Sequence, residues 1–128
     1  MLLNLTNHPG SRWSSRQRNA AVDKWKSVVD YPFPDVLPEA EEKDVIREAR
    51  AIADDAESLH PDAVLCQGEM SMVFVLVQLF QEKGIPVYTA TTRRISEESV
   101  NADGSVEKKS VFQFVRFRRY PQLKERSF

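Results

Sequence analysis

The side chains best suited to chemistry lie in three short segments of this chain. The first is Asn7-His8-Pro9-Gly10-Ser11-Arg12-Trp13, the second is Gln67-Gly68-Glu69-Met70-Ser71, and the third is Thr91-Thr92-Arg93-Arg94. Imidazole moves protons near neutral pH, guanidinium groups pair with phosphate oxygens, and the first N–H groups of a helix attract anions. This combination is typical of a site for a ligand that carries phosphate groups and bases.

Each residue type suggests a particular contact with such a ligand. Arg93 and Arg94 can pair with phosphate oxygens, bidentately where the geometry allows it. Trp13 could stack on a base, while Asn7 and Gln67 could recognise base or ribose edges. The segments therefore predict a ligand of nucleotide character.

Glu69 refines this interpretation because a carboxylate repels phosphate. Free N–H groups at the start of the third helix would attract an anion, but an acid in the same turn disfavours a phosphate placed squarely on the helix end. We expect Glu69 to accept a hydrogen bond from a ribose hydroxyl or base amine, or to orient an arginine. The turn would then hold a ribose or base, with the phosphate to one side, at Arg93 and Arg94.

The same residues also have structural interpretations, which the sequence leaves open. His8 precedes a proline and could cap a turn through its ring, and Trp13 could act as a hydrophobic staple for the first helix. Gly68 could be needed for its backbone conformation, and Glu69 could stabilise the helix dipole. The arginines of the third segment could be solvated. Those at 116, 118 and 119 could protect a sheet edge, unless the hairpin that carries them covers the site or forms a dimer contact.

Composition limits the classes of protein to which the chain can belong. Its 128 residues suggest one domain, and a net charge of −1 argues against binding of duplex DNA, although a local basic patch remains compatible with it. Cys66 is the only cysteine, so an internal disulfide is excluded. We expect it to be a small core residue. No apolar run approaches the roughly 20 residues that span a bilayer, so we expect no membrane partner and a cytoplasmic location.

Several familiar motifs are absent from the sequence. It has no phosphate-binding loop of the Gly-x-x-x-x-Gly-Lys type, no Gly-x-Gly-x-x-Gly fingerprint and no Gly-x-Ser-x-Gly elbow. With two histidines, one cysteine and no close spacing between them, a zinc site is not expected. We therefore expect neither a metal nor a cofactor.

The hydrophobic pattern predicts alternating strands and helices. The expected elements are strand 2–6, helix 16–26, strand 27–30, a helix after Pro38, strand 63–66, a helix over 70–83, strand 85–90, and a hairpin of 95–100 with 106–117 around Asp103-Gly104. The helix over 70–83 is apolar almost all round, so we expect it to be largely buried. Segment 91–94 is expected to be a loop.

This alternation predicts an α/β fold with a mainly parallel sheet and helices on both faces. Right-handed crossovers favour strand order 2-1-3-4, with the hairpin extending the sheet beyond strand 4. We expect one domain over 1–120, in which 95–118 is the hairpin extension, followed by a polar tail at 121–128. The direction in which the sheet is wound reverses between strands 1 and 3. Open α/β sheets bind ligands at such a point, outside the carboxyl ends of the strands. The three polar segments follow strands 1, 3 and 4 and should meet there.

Taken together, these segments resemble a known family. An apolar first strand followed by Asn7-His8-Pro9 and Trp13, with Gly68-Glu69-Met70-Ser71 before the third helix and arginines after strand 4, is similar to small stand-alone CRISPR-associated Rossmann-fold (CARF-like) proteins. The resemblance covers roughly residues 1 to 94. It implies a Rossmann-like three-layer fold that binds cyclic oligoadenylate, the second messenger of type III CRISPR systems. It also implies a homodimer with the ring across the two-fold axis.

The resemblance further implies two uses for so short a chain: a ring nuclease or a regulator of a partner. Metal-independent ring cleavage proceeds by attack of a ribose 2′-hydroxyl on the adjacent phosphate, which the protein must align and stabilise. We assign His8 to proton transfer, Arg93 (or Arg94) and the helix N-terminus to the phosphate, and Glu69 and Asn7 to positioning the ribose. The expected ligand-binding residues are Asn7, Ser11, Arg12, Trp13, Gln67, Gly68, Met70, Ser71, Thr91, Thr92 and Arg94.

Two other functions remain compatible with the sequence. One is a non-catalytic nucleotide-binding sensor, and the other is a structural protein that pairs through the edge of the hairpin. Composition does not separate these two functions from that of a ring nuclease. The clearest difference among the three hypotheses is whether the ring is cleaved.

Overall fold

A computed structural model describes residues 1–123 of the chain as an α/β fold. Residues 124–128, most of the expected polar tail, lie outside the described part. The elements are β1 (Leu2–Leu5), α1 (Ser15–Trp25), β2 (Val28–Asp30), α2 (Glu42–Ser58), β3 (Ala63–Cys66), α3 (Met70–Glu82), β4 (Val87–Val100) and β5 (Val106–Arg119). A short 3-10 helix, Gly10–Arg12, lies between β1 and α1.

The strands form one mixed sheet in the order β2-β1-β3-β4-β5. β1 is parallel to both β2 and β3, and β3 is parallel to β4, whereas β5 runs antiparallel to β4. The α/β class, the order 2-1-3-4 and the position of the hairpin at the edge are therefore confirmed. The sheet changes its direction of winding between β1 and β3, as expected.

Helices cover both faces of the sheet. Because side chains alternate along a strand, each central strand contributes residues to the apolar clusters on both faces. Leu3 and Leu5 of β1 join the larger apolar cluster, to which α2 and α3 contribute, while Leu2 joins a smaller cluster with Trp25 of α1. β3 divides in the same way, since Val64 and Cys66 belong to the first cluster and Ala63 and Leu65 to the second. The central strands are thus buried on both faces.

Local capping sets where each helix begins. The Ser14 hydroxyl accepts a hydrogen bond from the Gln17 N–H at the start of α1. Glu41 and Asp44 form a reciprocal capping box, so α2 begins at Glu42 and not directly after Pro38. Among the described residues, no helix has both the length and the apolar character needed to cross a membrane.

The expectation that α3 is largely buried is wrong for one of its faces. Met72, Leu76 and Phe80 are fully buried, but Phe74 is 70% exposed and Met70 is 82% exposed. The apolar residues of α3 therefore continue round to the outer side of the helix. Exposed apolar residues that lie together on one face can mark an interaction surface.

Segment 91–94 is not a loop, which corrects the sequence-based expectation. β4 runs without interruption from Val87 to Val100, and Arg93 and Arg94 pair with Gln113 and Phe112 of β5. Threonine favours extended backbone, and β5 offers a partner along this whole stretch. The polar character of the segment therefore does not break the strand.

A β-bulge lies in the hairpin close to the body of the protein. Thr91 is opposite Arg116 and Thr92 is opposite Phe114, so Val115 is the extra residue on β5. As a result Phe114 and Phe117, which are three positions apart, both reach the cluster that contains α1. The bulge thus packs the base of the hairpin against α1.

Candidate functional site

A buried polar network fixes the loop that follows β1. The Asn4 side-chain amide donates to the His8 carbonyl oxygen at 2.8 Å and to the Asp30 carboxylate at 2.9 Å. The Gly10 N–H donates to the same Asp30 oxygen at 2.9 Å, and the Thr6 hydroxyl donates to the Asn4 side-chain oxygen at 2.8 Å. The first loop is therefore tied to the carboxyl ends of both β1 and β2.

Sequence analysis missed Asn4, Thr6 and Asp30, although a signal was present. Asn4 interrupts an otherwise apolar strand and is only 1% exposed. A buried amide needs hydrogen-bond partners, so its position predicts a polar network at the end of the strand. Here that network positions the loop that carries the candidate site residues.

Trp13 anchors the other end of this loop. Its indole N–H donates to the His8 carbonyl oxygen at 2.9 Å, and its ring centroid lies 6.2 Å from that of Phe117 at an angle of 50°. The His8 carbonyl thus accepts hydrogen bonds from both Asn4 and Trp13, while the His8 side chain is exposed. The main chain of His8 is therefore held by two side chains, while the residue remains exposed.

A cavity of about 300 Å³ opens beyond the carboxyl ends of β1 and β3. It lies between the first loop and the base of the hairpin, and we call it the switch-point cavity. Its lining is polar and aromatic: Thr6, His8, Arg12, Trp13, Ser14, Gln17, Leu65, Gln67, Ala90, Thr92, Phe112 and Phe114. It therefore occupies the position at which open α/β sheets bind ligands.

The structure brings five of the predicted site residues together around this cavity: His8, Arg12, Trp13, Gln67 and Thr92. They come from all three of the polar segments. The aromatic residues Phe112 and Phe114 complete the lining but were not predicted, because the antiparallel pairing that places them beside Thr92 depends on the register of the hairpin.

The start of α3 differs from the expectation of free N–H groups. Glu69 is the N-cap residue, and its carboxylate accepts hydrogen bonds from the Ser71 N–H at 3.1 Å and the Met72 N–H at 2.9 Å. The Ser71 hydroxyl also donates to this carboxylate. These contacts, with that hydroxyl the largest contributor, lower the pKa of Glu69. The acid thus occupies the groups that an anionic ligand would use.

Gly68 is required by a close approach of a side chain. A Cβ atom at this position would lie 2.5–2.6 Å from ring atoms of Phe33, which is 6% exposed. Phe33 belongs to the same cluster as α2 and α3, so it covers the turn from that side of the sheet. This contact has no signal in the sequence, because Phe33 lies in a proline-containing loop far from Gly68.

The arginines of β4 do not line the switch-point cavity of their own chain. Thr92 lines it, and because side chains alternate along a strand, Arg93 faces the opposite side of the sheet. The Arg94 guanidinium donates to the Ser110 hydroxyl oxygen at 3.1 and 3.2 Å. The predicted group of His8, Glu69 and Arg93 is therefore not gathered in one cleft of a single chain.

The other predicted residues lie around the site without lining the cavity. Asn7 and Ser11 are exposed on the first loop, and the Thr91 hydroxyl donates to the Arg116 carbonyl oxygen at 3.1 Å. Ser71 borders a depression between α2 and α3. Gly68 and Met70 line a separate groove on α3.

This separate groove has a volume of about 900 Å³, and we call it the α3 groove. Within the described part of the chain its lining contains no charged side chain: Gln67, Gly68, Met70, Val73, Phe74, Val77, Gln78, Gln81, Tyr120, Pro121 and Leu123. The Tyr120 hydroxyl donates to the Cys66 carbonyl oxygen at 2.7 Å, which holds the segment after β5 beside α3. Burial raises the pKa of Tyr120.

Gln67 is the residue that the two cavities share. Its side-chain oxygen accepts a hydrogen bond from the Ala90 N–H at 2.6 Å, so its amide group bridges β3 and β4. Within residues 1–123, no group of three or more His, Cys, Asp or Glu side chains could hold a metal ion. The residues that line the switch-point cavity supply amide, guanidinium, imidazole, hydroxyl and aromatic groups.

These features define an α/β protein with a candidate small-ligand cavity at the switch point of its sheet. The chain matches the family described as the uncharacterized protein MJ1673 family over residues 1–118, and it belongs to that family. No curated protein and no solved structure gives a significant match.

Proposed function

We propose that this protein is a Rossmann-like, CARF-like protein that binds cyclic oligoadenylate, with one adenylate unit in the switch-point cavity. The observation that carries the proposal is the convergence of a guanidinium group, two side-chain amides and three aromatic rings at this position. These groups suit a nucleotide, since phosphates pair with arginine and bases stack on aromatic rings.

The lining residues supply a contact for each part of a nucleotide. Trp13, Phe112 and Phe114 offer rings on which an adenine could stack, and such stacking contributes about 1–3 kcal/mol per base. The side-chain oxygen of Gln67 is engaged by Ala90, so its NH2 group is the end that can donate to a base. Arg12 supplies positive charge for a phosphate.

The size of the cavity favours one unit of a larger ligand. A volume of about 300 Å³ lies at the lower end of the range for small-molecule sites. A ring of several adenylates would exceed it, whereas two copies of the chain would offer two equivalent cavities. A homodimer with two-fold symmetry is therefore part of the proposal.

The geometry favours binding over cleavage. The Glu69 carboxylate is committed to the start of α3, and Arg93 faces away from the cavity that His8 lines. Aligning a ribose hydroxyl with a phosphate needs several groups at one atom. The exposed His8 imidazole at the cavity is the single feature that keeps ring cleavage as the second candidate.

The experiment is to incubate pure protein with cyclic tetra-adenylate or cyclic hexa-adenylate in EDTA. We expect a ligand-dependent rise in melting temperature, because a ligand present at 100 times its Kd stabilises the folded state by about 2.7 kcal/mol. Mass spectrometry should recover the ring intact. Linear products would instead establish the ring nuclease, and the absence of any thermal shift with either ring would refute the proposal.

Matched variants locate the ligand. Arg12→Ala should reduce the thermal shift, while Arg16→Ala, an exposed arginine in the first turn of α1 that does not line the cavity, should leave it unchanged. Equal effects of the two substitutions would indicate non-specific attraction of an anion. If neither substitution changed the thermal shift, the ligand would bind outside this cavity.

A further inference from the structure

The outer part of the hairpin, residues 93–113, projects beyond the body of the protein, and we call it the arm. β3 pairs only with Val87 and Tyr88 of β4, so the strands continue past the end of their parallel neighbour. The pairing of β4 with β5 is unbroken from Thr92–Phe114 to Val100–Val106, which corresponds to an arm of about 30 Å at the usual rise of a strand.

Most of the arm does not pack against the body of the described chain. Residues 93–113 belong to neither of the two apolar clusters formed by residues 1–123. A two-stranded hairpin without packing is marginally stable in water. A ladder of this length is therefore expected to gain its stability from a contact that a single copy of the chain does not provide.

One face of the arm carries an apolar pair. Ile95 is directly opposite Val111, and Arg93 and Gln113 precede them on the same face. The next pair outward on this face, Glu97 and Lys109, has opposite charges. The opposite face carries Phe112, which lies opposite Arg94 and lines the switch-point cavity, and then the polar pair Ser96 and Ser110. The two faces therefore differ in the surface that each could cover.

The α3 groove has the complementary character, because its described lining is apolar or uncharged. Within the described chain, no residue of the arm lines this groove. The base of the arm is fixed on the α1 side of the sheet by Phe114 and Phe117, whereas the groove lies on the other side, beside α3. The arm of a second copy is an unpacked element that matches the groove.

We propose that the arm docks, through the face that carries Ile95 and Val111, in the α3 groove of a second copy of this chain. A reciprocal exchange of this kind closes with two-fold symmetry and fills both grooves. It covers the exposed Phe74 and Met70, and it gives each arm a packing surface. The dimer does not depend on any ligand.

The exchange has a consequence for the ligand site that rests on the proposed function. Gln67 lines both the groove and the switch-point cavity, so a docked arm lies next to the cavity of the other chain. Arg93 is on the docking face near the base of the arm. It can thus supply in trans the phosphate contact that it cannot make in its own chain.

The test begins with the mass of the protein in solution without ligand. The parent should sediment at twice the chain mass of 14.7 kDa. Phe74→Glu removes the groove contact and Ile95→Asp removes the arm contact, so each should give a monomer. Ser96→Asp on the other face of the arm and Asn19→Glu on α1 should remain dimeric. Circular dichroism verifies that each variant is folded, and Val111→Asp serves as a second arm variant.

Mixing the two monomeric variants decides between arm exchange and other dimers. The Phe74→Glu chain keeps an intact arm and the Ile95→Asp chain keeps an intact groove, so their mixture should recover a dimer held by one of the two contacts. A mixture that stays monomeric would contradict arm exchange, as would a monomeric parent. Ligand binding is measured separately, so a dimer that fails to bind cyclic oligoadenylate overturns only the proposed function.

Discussion

The side-chain oxygen of Gln67 accepts a hydrogen bond of 2.6 Å from the main-chain N–H of Ala90, directly beside the switch-point cavity. This contact joins the end of β3 to β4, which pair with each other only over Val64–Val87 and Leu65–Tyr88. One amide group thus supports the sheet with its oxygen and leaves its nitrogen for a ligand. The two roles can be separated by substitution.

Gln67→Glu should keep the contact to Ala90 and weaken the binding of cyclic oligoadenylate, because the carboxylate can accept from the N–H but cannot donate to a base. Gln67→Leu should lose both the contact to Ala90 and the contact to the ligand. It should lower the free energy of unfolding by about 1–3 kcal/mol, because it leaves the partly buried Ala90 N–H without an acceptor. Urea unfolding and thermal shift with ligand measure the two effects. Equal loss of stability in both variants would show that the oxygen contact does not support the sheet.

Gly68→Ala should destabilise the protein by about 1–3 kcal/mol because its new methyl group would overlap the Phe33 ring. Phe33→Leu alone should also destabilise the protein, since it removes volume from a buried cluster. In the double variant the two losses should be less than additive, because the smaller side chain makes room for the methyl group. Strict additivity in a double-mutant cycle would contradict the contact.

The Glu69 cap predicts a pH dependence of stability. The folded-state pKa of Glu69 is lowered, so its contribution is present above the ordinary value of 4.5 and is lost as the pH falls through the lower folded value. Glu69→Gln should therefore be less stable than the parent at pH 7, and the difference should shrink at acidic pH. A difference in stability that is the same at pH 7 and at acidic pH would contradict this role of the cap.

The Cys66 thiol should be unreactive in the folded protein. Burial raises its pKa to about 12, so very little thiolate forms at pH 8, and the side chain is fully buried. We expect iodoacetamide to label the native protein slowly and the urea-unfolded protein rapidly. A Ser96→Cys variant should gain one rapidly labelled, exposed thiol. Rapid labelling of the native parent would show that the end of β3 opens readily.

The sheet could be predicted from the sequence because its signals are local. Alternating apolar runs and amphipathic helices gave the parallel order, and Asp103-Gly104 gave the hairpin. The site could be predicted only in part, because its assembly depends on the register of pairing. Arg93 and Thr92 are neighbours in the chain, yet they face opposite sides of β4 once the strand continues through them.

Sequence analysis left the role of Glu69 open. An acid at a helix start is compatible with a cap and with a ligand contact, and only the distances from Glu69 to Ser71 and Met72 show that it caps α3. Other features depend on a single distant partner. The Asn4–Asp30 bond and the packing of Phe33 on Gly68 join residues more than 20 positions apart. Neither composition nor periodicity carries such information.

Fluorescence of Trp13 provides the most direct test of the central claim, that the switch-point cavity binds one adenylate unit of an intact ring. In a Trp25→Phe background Trp13 is the remaining tryptophan, and it lines the cavity. Titration with cyclic tetra-adenylate should change its emission, saturate at one ring per two chains and leave the ring intact by mass spectrometry. Unchanged Trp13 emission at ligand concentrations that raise the melting temperature would contradict the claim.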